Sequence, residues 1–319
     1  MKKHTLLLLL MMVALASCNK SEPDPVREIT SDYVLNADED WRGTVRLKAT
    51  VEVPVGRTLT IQPGTKIIAG EDGELDVNGS LTMNGTASKI IQIHAENEND
   101  GWIGIGFKGA NLQMSYCTLA DAIIGVFLFS TTSGSIKIDR CLFQNSSTAI
   151  TDFTQDKTLS ITNSTFLEND DAYNQWGGGK TVTIENCVFE GNSEAISLLS
   201  SSISNRKATT VEVQKSNFLK ESSIGFITTS TTFPPYNTTF RATGCHGLVS
   251  GKYTLDRTKG NAITIQSAVS SPISGIGCGF SLQRSARKAF IENSLPSQEL
   301  SKRFEERAQK ALQRNTSNQ

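Results

Sequence analysis

Asp171 and Glu194 stand 23 residues apart, and each follows a small residue, Ser164 or Cys187, by seven positions. If the chain repeats with that period as stacked parallel strands, the two carboxylates lie on neighbouring rungs, roughly 5 Å apart. Carboxylates that close can hold a cation or act as an acid pair. The alternative is a solvated turn, since the flanking slots, Thr148 and Ser223, offer only hydroxyls. A second group, Asn205, Arg206, Phe233 and Tyr236, combines aromatic and polar chemistry suited to a glycan or a protein surface. Trp176 and Tyr173 resemble sugar platforms in type, but their spacing assigns them to apolar ladders of the core. His94 and His246 have no partner at metal-ligand spacing, and Gly275–Gly279 lacks the final spacing of a dinucleotide loop. No metal and no other cofactor is expected.

The elements that would position these residues repeat. Leu112–Leu119, Ile136–Phe143, Leu159–Phe166, Val182–Phe189 and Val211–Phe218 superpose without a gap as apolar, polar, apolar, two polar, small, variable, large apolar. Alternation with period two makes each a strand with one inward face. Ile138, Ile161, Ile184, Val213 and Ala242 then form an inward ladder, and Lys137, Ser160, Thr183, Glu212 and Arg241 an outward one. The small slot reads Cys117, Cys141, Ser164, Cys187, Ser216, Cys245, Ala268, where a small side chain lets the chain turn a corner tightly. Gly125-Val126, Ala149-Ile150, Ala172-Tyr173 and Ala195-Ile196 follow at constant offset, and Phe129, Phe153, Trp176 and Leu199 read as a third inward ladder. Three apolar ladders per turn of about 23 residues predict an all-β, right-handed parallel β-helix. Two turns of 29 residues, Cys187 to Ser216 and Ser216 to Cys245, carry the loops with Asn205, Arg206, Phe233 and Tyr236. Insertions at one rung position of neighbouring turns emerge side by side.

The same alternation runs from Val45 to Val55 and on through Leu59–Ile67, Leu75–Met83 and Ile91–His94. Leu-Thr-Ile-x-Pro-Gly-Thr-x-Ile, then Gly-Ser-Leu-Thr-x-x-Gly-Thr-Ala, then Gly101-Trp102-Ile103-Gly104-Ile105 resembles the right-handed parallel β-helix lipoproteins of Gram-negative cell envelopes. The resemblance implies a solenoid over residues 40–283, with residues 18–39 as tether and N-terminal cap. Residues 284–319 form a tail. Leu300, Phe304, Ala308 and Leu312 recur every four residues there, with Ser297 as N-cap, and predict a helix over about 297–314 that docks on an open solenoid end.

Residues 1–17 join a basic start, Lys2-Lys3, to an apolar run too short to span a bilayer, and read as a signal peptide. Leu15-Ala16-Ser17-Cys18 resembles the lipobox of bacterial lipoproteins, which implies lipidation of Cys18 and membrane contact through that lipid. Asn19 after the cysteine implies the outer membrane by the same resemblance. Without Lys2 and Lys3, 29 basic side chains face 32 acidic ones, so no basic footprint for nucleic acid remains. Five further cysteines are too widely or too similarly placed to pair, and read as structural.

Asn169-Asp170-Asp171, Gly244-Cys245-His246-Gly247 and Arg257-Thr258-Lys259 faintly resemble motifs of the polygalacturonase family in order but not in spacing. Asp171 and His246 fall three rungs, ~14 Å, apart, too far to act on one bond. The expected function is therefore a surface-anchored, non-catalytic lipoprotein that binds a glycan or protein partner or serves as a spacer. The alternative is a polysaccharide-active enzyme, a lyase or glycoside hydrolase on the same scaffold.

Overall fold

The alternation at the N-terminal end shows how the wall is built. Thr44–Leu47, Thr50–Val53 and Thr58–Ile61 each bury every second residue, with Val45, Leu47, Val51, Val53, Leu59 and Ile61 at most 1% exposed. Successive side chains of a strand point to opposite faces, so one face goes to the core and the other to solvent. Three such strands close one turn. The structure, a computed structural model, describes residues 26–129, 134–154, 156–176, 178–198, 208–220, 223–225, 238–248 and 262–280. These form three parallel sheets of nine, nine and ten strands, in which each strand pairs with its equivalents one turn away. The fold is an all-β parallel solenoid, with no helix among the described residues.

Sheet A runs from Val26–Ile29 to Asn217–Leu219, sheet B from Tyr33–Val34 to Ser223–Gly225, and sheet C from Glu39–Trp41 to Ala262–Gln266. The solenoid thus opens at Val26, inside the segment the sequence reads as tether and cap. Its first turn has little alternation, because one polar cluster closes it. Glu39 accepts hydrogen bonds from Arg27 Nη1 (2.6 Å), Trp41 Nε1 (2.9 Å) and Tyr33 Oη, and the Arg27 guanidinium lies over both rings.

Sheet C keeps the predicted phase: Ile138, Ile161, Ile184, Val213 and Ala242 pair in register and are buried, and Lys137 and Arg241 are exposed. The large apolar residue that ends each repeat belongs to a separate wall, sheet A. There Phe143, Phe166, Phe189 and Phe218 stack with centroids 4.9–5.2 Å apart and planes within 8° of parallel.

The corner between sheets C and A is made by the residue before the small slot. Tyr116, Arg140, Asn163, Asn186, Lys215, Gly244 and Ser267 all have positive φ, from 45° to 62°. This left-handed step turns the chain inward, and the buried Cys117, Cys141, Ser164, Cys187, Ser216 and Cys245 follow it. The five cysteines are unpaired thiols. At the next corner Asn169 and Asn192 form a buried ladder: Asn169 Nδ2 donates to Asn192 Oδ1 (2.9 Å) and to Phe143 O (3.1 Å), and Asn192 Nδ2 donates to Phe166 O (3.0 Å). Such side chains satisfy the backbone groups a corner would otherwise leave unpaired.

After the last strand the chain runs back across sheet A. Ile273 exchanges two hydrogen bonds with the Asn217 side chain, Gly277 N donates to Asn186 O, and Cys278 N donates to Thr165 Oγ1. The predicted helix over 297–314 lies outside the described residues.

Candidate functional site

Sheet B holds the chemistry. Its strands Ala122–Leu128, Thr148–Asp152, Asp171–Gln175 and Glu194–Leu198 share an irregularity. Gly125, Ala149, Ala172 and Ala195 are each followed by an inward Val126, Ile150, Tyr173 or Ile196, and these last seven residues are fully buried along with the buried Gly125. The register shifts where this run of strands meets its neighbour at either end, at Gly104/Ile105 and at Glu194/Ile196. Two consecutive inward residues are the mark of a β-bulge, which re-aims the side chains around it. The small residue is needed because a Cβ at Gly125 would stand 2.6 Å from Ala149 O.

The bulge fixes what faces outward. Before it stand Thr148, Asp171 and Glu194, in register on three successive rungs. After it come Phe127, Thr151, Asn174 and Ser197, and then Phe129, Phe153 and Trp176. Asp171 and Glu194 are thus brought together as the sequence predicts. Each carboxylate is held by the residue three positions on. Asn174 Nδ2 donates to Asp171 Oδ2 (3.0 Å), and Ser197 Oγ donates to Glu194 Oε2. Burial raises the Asp171 pKa to about 6, with Glu194 and Asp170 adding repulsion and the Asn174 hydrogen bond opposing both. Asn174 is 8% exposed, and its Oδ1 has no hydrogen-bond partner.

The bulge also overturns the predicted third inward ladder. Phe129, Phe153 and Trp176 are half-buried on the outer face. They form an external stack, Phe129 on Phe153 at 5.7 Å and Phe153 on Trp176 at 5.2 Å, with Phe127 set edge-on against Phe129 and Phe153. Because the rings stack on one another, their faces are largely taken up by their neighbours. Tyr173, by contrast, is fully buried, as expected.

The inward positions beside that stack are polar, a feature alternation alone does not reveal. Asp152 is fully buried and accepts from Lys180 Nζ at 2.6 Å to each oxygen, from Thr154 Oγ1 (2.7 Å) and from Tyr173 Oη (2.9 Å). Lys157 is 1% exposed, and its ammonium donates to Gly109 O (2.5 Å) and Ala110 O (3.3 Å) and lies over the Phe107 ring. Burial, reinforced by Lys180, lowers the Lys157 pKa to about 8. The signal in sequence was Asp152 and Lys180 on successive turns, masked by reading Phe153 and Trp176 as the inward residues.

Asn205, Arg206, Phe233 and Tyr236, and the lipidation candidate Cys18, lie outside the described residues. Among the described residues no group of three or more His, Cys, Asp or Glu side chains gathers as a metal centre. No family model, curated protein or solved structure matches this chain.

Proposed function

We propose that this chain is a right-handed β-helix lipoprotein of a Gram-negative cell envelope, anchored in the outer membrane through Cys18, and that it binds a glycan non-catalytically along the outer face of sheet B. The observation that carries the reading is the arrangement around Asn174. The Asn174 amide sits between an acidic row and an apolar aromatic row on consecutive rungs. Sugar hydroxyls donate to amide and carboxylate oxygens, and the apolar faces of sugar rings cover aromatic surface. Two carboxylates with no cationic partner among the described residues disfavour uronates and favour neutral or amino sugars.

The test is a glycan array probed with the purified body and with Asn174→Ala and Trp176→Ala variants. The expected outcome is binding to neutral or amino-sugar chains, reduced tenfold or more in both variants at an unchanged thermal midpoint, since each removed contact is worth about 1–3 kcal/mol. Unchanged binding in folded variants would place the contact surface elsewhere. Cleavage of any polysaccharide that is lost in Asp171→Ala would replace binding by catalysis.

A further inference from the structure

The outer face of sheet A is covered where a single-layer wall would be bare. Gln92, Thr118, Leu142, Thr165, Val188 and Asn217 are register partners on six successive rungs, and each precedes the inward residue of its strand, among them Phe143, Phe166, Phe189 and Phe218. Alternation therefore points this column away from the core. Lys66, which continues the column beyond Gln92, is exposed, as an outward position should be. Yet Thr118 is 0% and Leu142 1% exposed, and the next outward residues of their strands, Ala120 and Gln144, are buried as well. An outward leucine shielded that completely needs a second layer of chain above the sheet.

The start of that layer is visible. After the last strand the chain runs back over this column. Ile273 is bonded to the Asn217 side chain, and a Cβ on Gly277 would stand 2.7 Å from Thr165 Oγ1 and 3.1 Å from Val188 Cγ2. Gly277 has a φ of 91°, so glycine serves both the conformation and the close approach. Cys278 N donates to Thr165 Oγ1. From Ile273 to Cys278, five residues cross the two rungs between Asn217 and Thr165, about 9.6 Å. At Cys278 the chain is one rung from Leu142 and two from Thr118, heading towards the first turn, and residues 281–319 are still to come.

We propose that the outer face of sheet A is the docking surface for the chain's own C-terminal segment, with residues 280–283 lying over Leu142 and Thr118. Five more residues at the same pace reach both rungs. Phe280 and Leu282 supply the apolar cover that Leu142 requires. The tail is thereby led along the wall and away from the open end of the solenoid, where its sequence alone would dock it.

This inference concerns a different sheet from the proposed glycan face, and its test uses no glycan. The full chain is made with the photoreactive residue p-benzoylphenylalanine in place of Gln92, irradiated, digested and read by mass spectrometry. Expected is a cross-link from position 92 into residues 281–291, and none from the same probe at Lys137, an exposed position on sheet C. Absence of that cross-link, or an equal yield from Lys137, would overturn the proposal. A second measurement needs no probe. Leu142→Lys sets an ammonium under the covering chain, so it should lower the thermal midpoint by several degrees and speed tryptic cleavage after Arg284 and Arg287 about tenfold. Leu142→Met, close in volume, should keep the parental midpoint and cleavage rate. A Leu142→Lys protein with both values parental would show that this face is open to solvent, and would equally overturn the proposal.

Discussion

Lys157, buried at the corner between sheets B and C, is held by two backbone carbonyls, and no carboxylate among the described residues touches its ammonium. Asp152, the nearby acid, is committed to Lys180 at 2.6 Å. Breaking that fully buried pair from one side would strand a charge, which costs about 3–5 kcal/mol, so Asp152 and Lys180 are best read as one structural unit. Lys157 is different, because its own charge is the burden. Its pKa of about 8 lies below the ordinary value of 10.5. Below pH 8 the folded state therefore carries the full cost of the buried charge. Between pH 8 and 10.5 the proton leaves the folded state more readily than the unfolded one, and the cost is relieved. Lys157→Met has no such titration. Denaturant unfolding of parent and variant at pH 7.5 and pH 10 should show the difference between them moving in the parent's favour by about 2 kcal/mol as pH rises. A difference that stays constant, or moves the other way, would show that the ammonium is solvated.

At the scale of the strand and its corner, the left-handed residue before each small slot sets the turn. Lys215 has a φ of 45° and a mostly exposed ion pair with Glu185 that contributes little. Lys215→Gly should leave the urea midpoint unchanged or slightly higher, because glycine adopts this conformation freely. Lys215→Val should lower stability by about 1–2 kcal/mol, because a β-branched side chain is strained at positive φ. Equal midpoints for the two variants would mean the corner has another geometry in solution. Sheet C was legible in the sequence because its strands alternate cleanly around Ile138, Ile161 and Ile184. The register of Asp171 with Glu194 was legible for a related reason: constant spacing survives any local distortion that every turn shares. The outward face of sheet B was not legible, because a bulge changes parity. Counting by twos from Ala149-Ile150 gives the wrong side for Phe153, unless the small–large pair is taken as two inward residues. Asn169 and Asn192, also 23 residues apart, went unread because an amide ladder looks in sequence like loop composition.

Over the whole molecule, the stack converts sequence distance into height. Asp171–Gln175 is the seventh of nine strands in sheet B, six spacings from Tyr33–Val34, which places the acidic and aromatic rows ~29 Å along the axis from the first turn. Residues 19–25, between Cys18 and the first strand, span at most ~25 Å when extended. A lipid on Cys18 would therefore set the first turn near the membrane surface and the sheet B rows well above it, which suits a module that presents a lateral face to long chains. No helix of the described residues is long and apolar enough to cross a membrane. Stable anchoring takes two hydrocarbon or charge signals where one short chain gives only reversible binding. Replacing Cys18 by Ala should move the protein from the membrane pellet to the soluble fraction. Its thermal midpoint should not change, because the strand pairing of the described residues begins eight residues later, at Val26. A Cys18→Ala protein that stays with the membrane under high-salt washing would show that the solenoid itself, and not a lipid, makes the attachment.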